Sequence, residues 1–371
     1  MAGGILFCGY YGHQNAGDDT FNAVSVWGAE RFWDVRGCAL LCQRLPTLPC
    51  SATAALPARS RFKGHAHLAA IAAAVRRGDV VYAGGSTLHA APGCRDFSFY
   101  HAWLNRARRC RLAAIGVSIG PFNNPRERRA LKDFLSRFSF LGLRDRRSFD
   151  LARDLGLGDR SRLTFDLAGL LPELRGLPPP AVETRIGVTL CRYESIVGGD
   201  ARVERLRLER IYRTLAGLAR ELGDAVFRFY VFNSHPEKGD ERITRAMARR
   251  LADKGCRCEV VLYGGDPVAL WSDVASCRLL IGTRLHSAVF AYMAGVPFLL
   301  SEYHPKCGDF LSTVGYRGPV RAPAEFLPPA RAVAAALSLL SGDAAYLPRL
   351  HPREAARRAR LNFTALAPLY S

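Results

Sequence analysis

The chain has 371 residues, 49% hydrophobic and 23% charged, which is long for a single core, natural for two domains, and excludes a disordered chain. Its net charge of +19 suits an anionic partner, but only Lys63, Lys132, Lys238, Lys254 and Lys306 among the 52 basic residues are lysines, and an arginine, alanine and glycine excess of this kind also marks a compositional bias. No apolar run reaches the roughly 20 residues of a spanning helix, and the eleven cysteines form neither a disulfide framework nor paired zinc spacing, so a membrane-spanning helix, a disulfide scaffold and a zinc module are not expected.

In chain order, apolar stretches at Ile5–Tyr10, Val80–Ala83, Leu112–Ile119, Phe140–Leu143 and Leu163–Phe165 read as strands. Helical patterns at Leu68–Arg77 and Glu127–Phe138 lie between them. Leu177-Pro178-Pro179-Pro180 breaks both helix and strand and reads as a linker. The alternation then resumes. Strands are expected at Ile186–Leu190, Phe227–Phe232, Glu259–Tyr263, Arg278–Ile281 and Pro297–Leu300. Helices are expected at Ala201–Leu222, Glu241–Lys254, Pro267–Ala275, Ser287–Ala294, Arg331–Leu340 and Glu354–Leu366. This pattern predicts an α/β protein of two doubly wound, Rossmann-like domains facing a cleft. The expected divisions are residues 1–176, 181–345, and a terminal helix in 346–371 that crosses back to the first domain. Met1 to Phe7 carry no basic start and no cleavage site, so a cytoplasmic location is expected.

Ligands of such sheets bind beyond the carboxyl ends of strands, and five motifs fall there. Gly9-Tyr10-Tyr11-Gly12-His13-Gln14-Asn15-Ala16-Gly17-Asp18-Asp19 links the first strand to a helix starting near Thr20. It is not the dinucleotide fingerprint, which argues against a nicotinamide enzyme. Its glycines allow close backbone approach, and Asp18 either caps the helix or acts on a hydroxyl. Gly84-Gly85-Ser86 follows the second strand, as a phosphate or sugar contact or as a tight turn into a helix. Arg144-Asp145 closes a strand, as an anion site or as a basic turn with an Asp cap, and Asp166 ends another. The strongest motif is Gly282-Thr283-Arg284-Leu285-His286-Ser287-Ala288 with Gly295-Val296-Pro297 behind it. Arg284 offers a bidentate grip on a carboxylate or phosphate, and His286 can pass a proton; the competing reading is a salt bridge and a helix cap.

Together these motifs resemble the polysaccharide pyruvyl transferase family, from Gly9 to Pro297. The resemblance implies a glycosyltransferase type-B-like fold, phosphoenolpyruvate as donor, no cofactor and no metal. Carried over, Arg284, Leu285, His286 and Arg144 bind the donor, while His286, Asp166 and Asp18 are catalytic. Tyr11, Asn15, Gly17, Gly84, Gly85, Ser86 and Lys306 stand in acceptor or phosphate loops. Departures from the family pattern are Gln14 for Gly, Asp19 for Glu, Ser287 for Ala, and His304 in the segment His304-Pro305-Lys306 for Asp. The implied reaction forms a pyruvate ketal on two sugar hydroxyls in cell-surface polysaccharide or exopolysaccharide synthesis. The acceptor is a sugar or lipid-linked oligosaccharide, with peripheral contact at the inner membrane face and no nucleic acid. A nucleotide-sugar glycosyltransferase on the same fold is the alternative.

Overall fold

The structure, a computed structural model, describes residues 4–59, 62, 64–88, 92–120, 125–179, 183–316 and 321–370. The chain forms two compact units. The first comprises Met1–Gly12, Asp18–Leu170 and Ala355–Ser371; the second comprises His13–Gly17 and Leu171–Glu354.

The first unit is built from β1 (Ile5–Cys8), α1 (Ala16–Trp33, whose first two residues count with the second unit), β2 (Cys38–Leu40), β3 (Ala52–Ala54), α2 (His65–Arg77), β4 (Asp79–Leu88), α3 (Phe97–Arg106), β5 (Arg111–Ile119), α4 (Pro125–Leu135), β6 (Phe138–Leu143), α5 (Arg146–Asp154) and β7 (Ser161–Leu163). The seven strands are all parallel, in the order β3-β2-β1-β4-β5-β6-β7. Such a sheet is covered on both faces, so its central strands are apolar rather than alternating. Ile5, Leu6, Phe7 and Cys8 of β1 are all buried, and each large side chain among them contributes on the order of 1.5–3 kcal/mol.

The second unit begins with α6 (Leu171–Arg175) and β8 (Arg185–Thr189). It continues through α7 (Glu194–Val197), α8 (Ala201–Leu222), β9 (Val226–Tyr230), α9 (Glu241–Ala252), β10 (Arg257–Val261), α10 (Pro267–Val274) and β11 (Leu279–Gly282). It closes with α11 (Leu285–Met293), β12 (Phe298–Ser301), α12 (Pro305–Val314), β13 (Arg321–Ala322) and α13 (Pro329–Leu340). Its six parallel strands run β10-β9-β8-β11-β12-β13. In both sheets the order reverses beside the first strand of the unit. That puts topological switch points between β1 and β4 and between β8 and β11, where open α/β sheets take their ligands.

The last helix, α14 (Pro352–Thr364), packs in the first unit from Ala355 onward. Asn362 fixes it there: its Oδ1 accepts from Gly116 N at 2.8 Å, and its Nδ2 donates to Phe165 O at 3.0 Å. Trp33 Nε1 donates to Phe363 O at 2.8 Å. The division after Leu170 precedes the proline-rich segment, of which Pro180 lies outside the described residues.

Two sequence expectations change. α1 begins at Ala16 rather than near Thr20, so Asp18 lies inside its first turn rather than at its cap. The strand at Val80 does not stop at the glycine pair but runs on to Leu88, with a register shift against β5. Gly84 and Gly85 take φ of +73° and +75°, and a Cβ on Gly84 would collide with the ring of Phe21. These glycines therefore bulge the strand around a phenylalanine instead of turning it into a helix. All eleven cysteines are free, and no helix among the described residues is long and apolar enough to cross a membrane.

Candidate active site

In the second unit, β11 delivers Arg284 to the switch point. Arg284 is the residue before α11, with extended backbone (φ −79°, ψ 126°), so its side chain leaves the strand end while Leu285 begins the helix. Leu285 is buried and belongs to the packing of that helix. Ser287 ties the junction together. It is fully buried, its hydroxyl donates to Arg284 O at 2.7 Å, and it lies 2.7 Å from Thr189 Oγ1 at the end of β8. An alanine here would leave the Thr189 hydroxyl without this bond, so the departure at Ser287 is a locking contact.

Arg284 is gripped by a residue that the sequence motifs did not point to. Nε and Nη2 form a fork on the carboxylate of Asp240, at 2.9 Å and 2.5 Å. Asp240 is wholly buried and also accepts from Asn233 N. Burial pushes the Asp240 carboxyl up, against the opposing pull of Arg284 and two backbone N–H groups. Burial alone would discharge Arg284, but the charge of Asp240 and its hydrogen bonds outweigh that and keep the guanidinium protonated. The fork leaves Nη1 out of the pair. The competing reading of Arg284 as a salt-bridged residue is thus realised, and the bridge aims the guanidinium.

His286 meets the first glycine loop. Residues His13–Gly17 pack in this second unit: Asn15 bridges to Asn233, Ser234 N donates to Gln14 O, and Ala16 N donates to Phe232 O. The Asn15 side chain then accepts from Gly17 N at 3.1 Å. The imidazole of His286 lies so close to Gly17 that a Cβ there would collide with Nδ1. A glycine is required for this approach. Gln14 sits at φ +53°, in the left-handed region, which explains why glycine suits that position better. His13 and His235 face each other closely enough to interact, and burial, then His235, lowers the His13 pKa.

Lys306 lies beyond β12, in the first turn of α12. His304 caps that helix, its Nδ1 accepting from Lys306 N at 3.2 Å. An uncharged imidazole nitrogen thus does the work of an aspartate cap. Burial, then Lys306, lowers the His304 pKa to about 4, which keeps that nitrogen free to accept.

In the first unit, Arg144 and Asp166 follow β6 and β7 and form a buried ion pair, Nη1 to Oδ2 at 2.7 Å. Arg144 Nε donates to Ser118 Oγ at 2.8 Å, and Nη2 lies 3.5 Å from Ser86 Oγ. Ser118 donates to Asp145, which caps α5 by accepting from Ser148 N. Asp166 also accepts from Ala168 N. The carboxyl ends of β4 to β7 thereby share one polar network, with the exposed Ser86 at its edge.

Tyr11 is buried with its hydroxyl donating to Ala83 O at 2.7 Å, and its ring folds over Gly9. It shapes the loop after β1. Asp18 is half-buried in the first turn of α1, near enough to Tyr11 to raise the phenol's pKa together with burial and Cys8. The structure thus gathers Arg284, His286, Asn15, Gly17 and Lys306 in one unit and Arg144, Asp166, Ser86, Gly84, Gly85, Tyr11 and Asp18 in the other. Among the described residues no group of three or more His, Cys, Asp or Glu is placed to hold a metal ion.

The chain matches 24% of residues over 226 positions of the amylovoran biosynthesis protein AmsJ of Erwinia amylovora, covering 54% of this chain and 51% of that protein. Only about half the length of that relative is therefore spanned. Among solved structures, the UDP-GlcNAc 2-epimerase of Neisseria meningitidis superposes with a TM-score of 0.60 at 10% identity, covering 98% of this chain and 99% of that one. The Methanocaldococcus jannaschii UDP-GlcNAc 2-epimerase gives 0.61 at 12% identity, covering 96% and 98%. Anabaena Alr3699/HepE gives 0.53 at 12%, covering 99% and 95%. These likenesses show the fold: two Rossmann-like α/β units of the glycosyltransferase type-B kind. The profile of the family described as "Polysaccharide pyruvyl transferase" matches residues 34–305, a span that includes Arg144, Asp166, Asp240, Arg284 and His286, so the chain belongs to the polysaccharide pyruvyl transferase family.

Proposed function

We propose that this protein moves the enolpyruvyl group of phosphoenolpyruvate onto two hydroxyls of a sugar, as a ketal, during assembly of a cell-surface polysaccharide. The observation that carries the proposal is the Arg284–Asp240 fork at a switch point, inside the span matched by the family, together with His286 seated against Gly17, which precedes that span. The donor carries a carboxylate, a phosphate and an electron-rich double bond. A proton added to its methylene carbon leaves a cation at the central carbon. Two sugar hydroxyls bond to that carbon in turn, and the carbon–oxygen bond to phosphate breaks. One hydroxyl proton replaces the one given to the methyl group, and the other leaves with phosphate.

Such a reaction needs an anion clamp, a proton donor and a base. Arg284 serves as the clamp through Nη1, with Arg144 as a second anion-binding group. His286 donates the proton or holds the phosphate, Leu285 seats the helix that carries it, and Asp166 or Asp18 takes hydroxyl protons. Asn15, Gly17 and Lys306 of the second unit, and Tyr11, Gly84, Gly85 and Ser86 of the first, are assigned to acceptor or phosphate loops. The acceptor is a sugar or lipid-linked oligosaccharide, no metal or cofactor is required, and the work is done in the cytoplasm.

The test is incubation with phosphoenolpyruvate and a panel of lipid-linked and nitrophenyl sugars. Phosphate release should match, mole for mole, a product with the mass of a pyruvate ketal. Thermal protection and turnover with nucleotide-sugars, and none with phosphoenolpyruvate, would overturn the proposal.

A further inference from the structure

Outside the candidate site, the first unit leaves large apolar side chains in water on two neighbouring helices. On α3, Phe99 and Trp103 are 42% and 58% exposed, and their i, i+4 spacing sets them on one face. On α2 and just before it, Leu68 is 57% and Phe62 55% exposed. The helices are joined side by side: His67 of α2 packs its ring against Phe97 and Tyr100 of α3, at 5.1 Å and 5.2 Å, and its Nε2 lies 3.0 Å from Arg95 O. Single exposed apolar residues are ordinary, whereas several large ones on packed neighbouring helices mark a contact surface.

The charge around this face is one-sided. Arg95, Arg106, Arg108 and Arg109 are exposed, and none has an ion pair among the described residues. The one acidic residue between positions 95 and 109 is Asp96, whose carboxylate accepts from Gly93 N. Aromatic side chains flanked by arginines are the composition of a surface that sinks its rings to the headgroup level and sets its cations against phosphates. A second copy of the same face is a poor occupant, because a two-fold contact would bring arginine against arginine.

We propose that the α2–α3 face is where this protein docks on a bilayer containing anionic phospholipid, with Phe99 and Trp103 inserted and Arg95, Arg106, Arg108 and Arg109 on headgroup phosphates. The docking itself is independent of the donor chemistry; only its purpose, bringing the enzyme to a lipid-linked acceptor, rests on the function proposed above.

The test uses the full chain and sedimentation with vesicles of phosphatidylcholine alone or mixed with phosphatidylglycerol. Binding is expected only to the mixed vesicles and should fall with salt. Phe99→Ser with Trp103→Ser should lower partitioning tenfold or more. Arg106→Glu with Arg108→Glu and Arg109→Glu should lower it roughly a hundredfold, at about fivefold or more per near-surface charge. Brominated lipid should quench the wild-type fluorescence, and W103F should lose that quenching while still binding. The altered positions are exposed, so far-UV dichroism and melting serve as folding controls, and the arginine set decides if the aromatic pair misfolds. Absence of binding to mixed vesicles, or binding that both sets of variants retain, overturns the proposal. So does a wild-type dimer that F99S/W103S splits with no vesicle binding by either, which would assign the face to a second copy. Turnover of a soluble sugar acceptor should be the same in all variants; its absence in the wild type would count against the pyruvyl transfer and leave the docking result standing.

Discussion

Asp240→Asn is the most informative single change. Asp240 has no exposed surface, and Arg284 has 19% of its side chain exposed, so the pair has little water to fall back on. Removing one charge of a buried pair strands the other, at a cost of about 3–5 kcal/mol. Asparagine keeps the shape and one acceptor, but its NH2 would point at a guanidinium N–H. For a unit of this size each kcal/mol moves the melting point by roughly 2–4 °C, so the transition should drop by about 6–20 °C in differential scanning calorimetry. Arg284→Met should destabilise comparably, by leaving the carboxylate buried alone. Combining Arg284→Met with Asp240→Leu removes both charges and should recover most of that stability, because a well-packed apolar pair often equals or exceeds an ionic one. Activity should not recover with it: loss of the guanidinium should cost on the order of a hundredfold or more in kcat. This would separate positioning by Asp240 from the donor binding proposed for Arg284. The reasoning fails if D240N melts with the wild type, or if the double variant is no more stable than either single one, since either result shows the two residues to be uncoupled.

Three further outcomes follow from the local geometry. Gly17→Ala would force His286 away from its seat, so ketal formation should fall by about a hundredfold, with a stability loss of roughly 1–3 kcal/mol, read by phosphate release and by melting. Gln14→Gly should relieve the left-handed strain at φ +53° and leave stability unchanged or raised by up to about 1 kcal/mol in urea titration. Stability should also fall on acidification through two histidines. His101 is fully buried beside Tyr82, and burial lowers its pKa to about 4, as it does for His304. A folded-state pKa below the unfolded value of about 6.5 means that the full stability is present above about pH 6.5 and is lost as pH falls toward 4, at up to about 1.4 kcal/mol per pH unit for each group. Melting followed from about pH 7.5 to about 4.5 should show this slope, and His101→Phe should roughly halve it, leaving the part due to His304.

How much of the fold is legible in the sequence depends on which residues announce themselves. Strands buried on both faces are apolar without alternation, so β1, β5, β8 and β11 stand out from their compositions, and α8 matches the expected Ala201–Leu222 because an Asp200 cap and Gly223 bound its pattern. The three-residue strands β2 and β3 carry too few side chains to show any period. The bulge at Gly84-Gly85 depends on Phe21, over sixty positions away, so nothing local could distinguish it from a turn. The same holds at the site. Arg284 and His286 sit in a run of fixed spacing and are legible, whereas Asp240 is a lone aspartate before α9 whose meaning comes from Arg284, forty-four positions on. One clue is present: a buried arginine must have a partner, so an anion clamp at Arg284 already implies a carboxylate behind it. The clamp proposed for Arg284 and its salt bridge are therefore not alternatives. A guanidinium at a strand end that must meet substrate in one orientation needs a fixed counter-charge on its other edge, and the bridge to Asp240 supplies it.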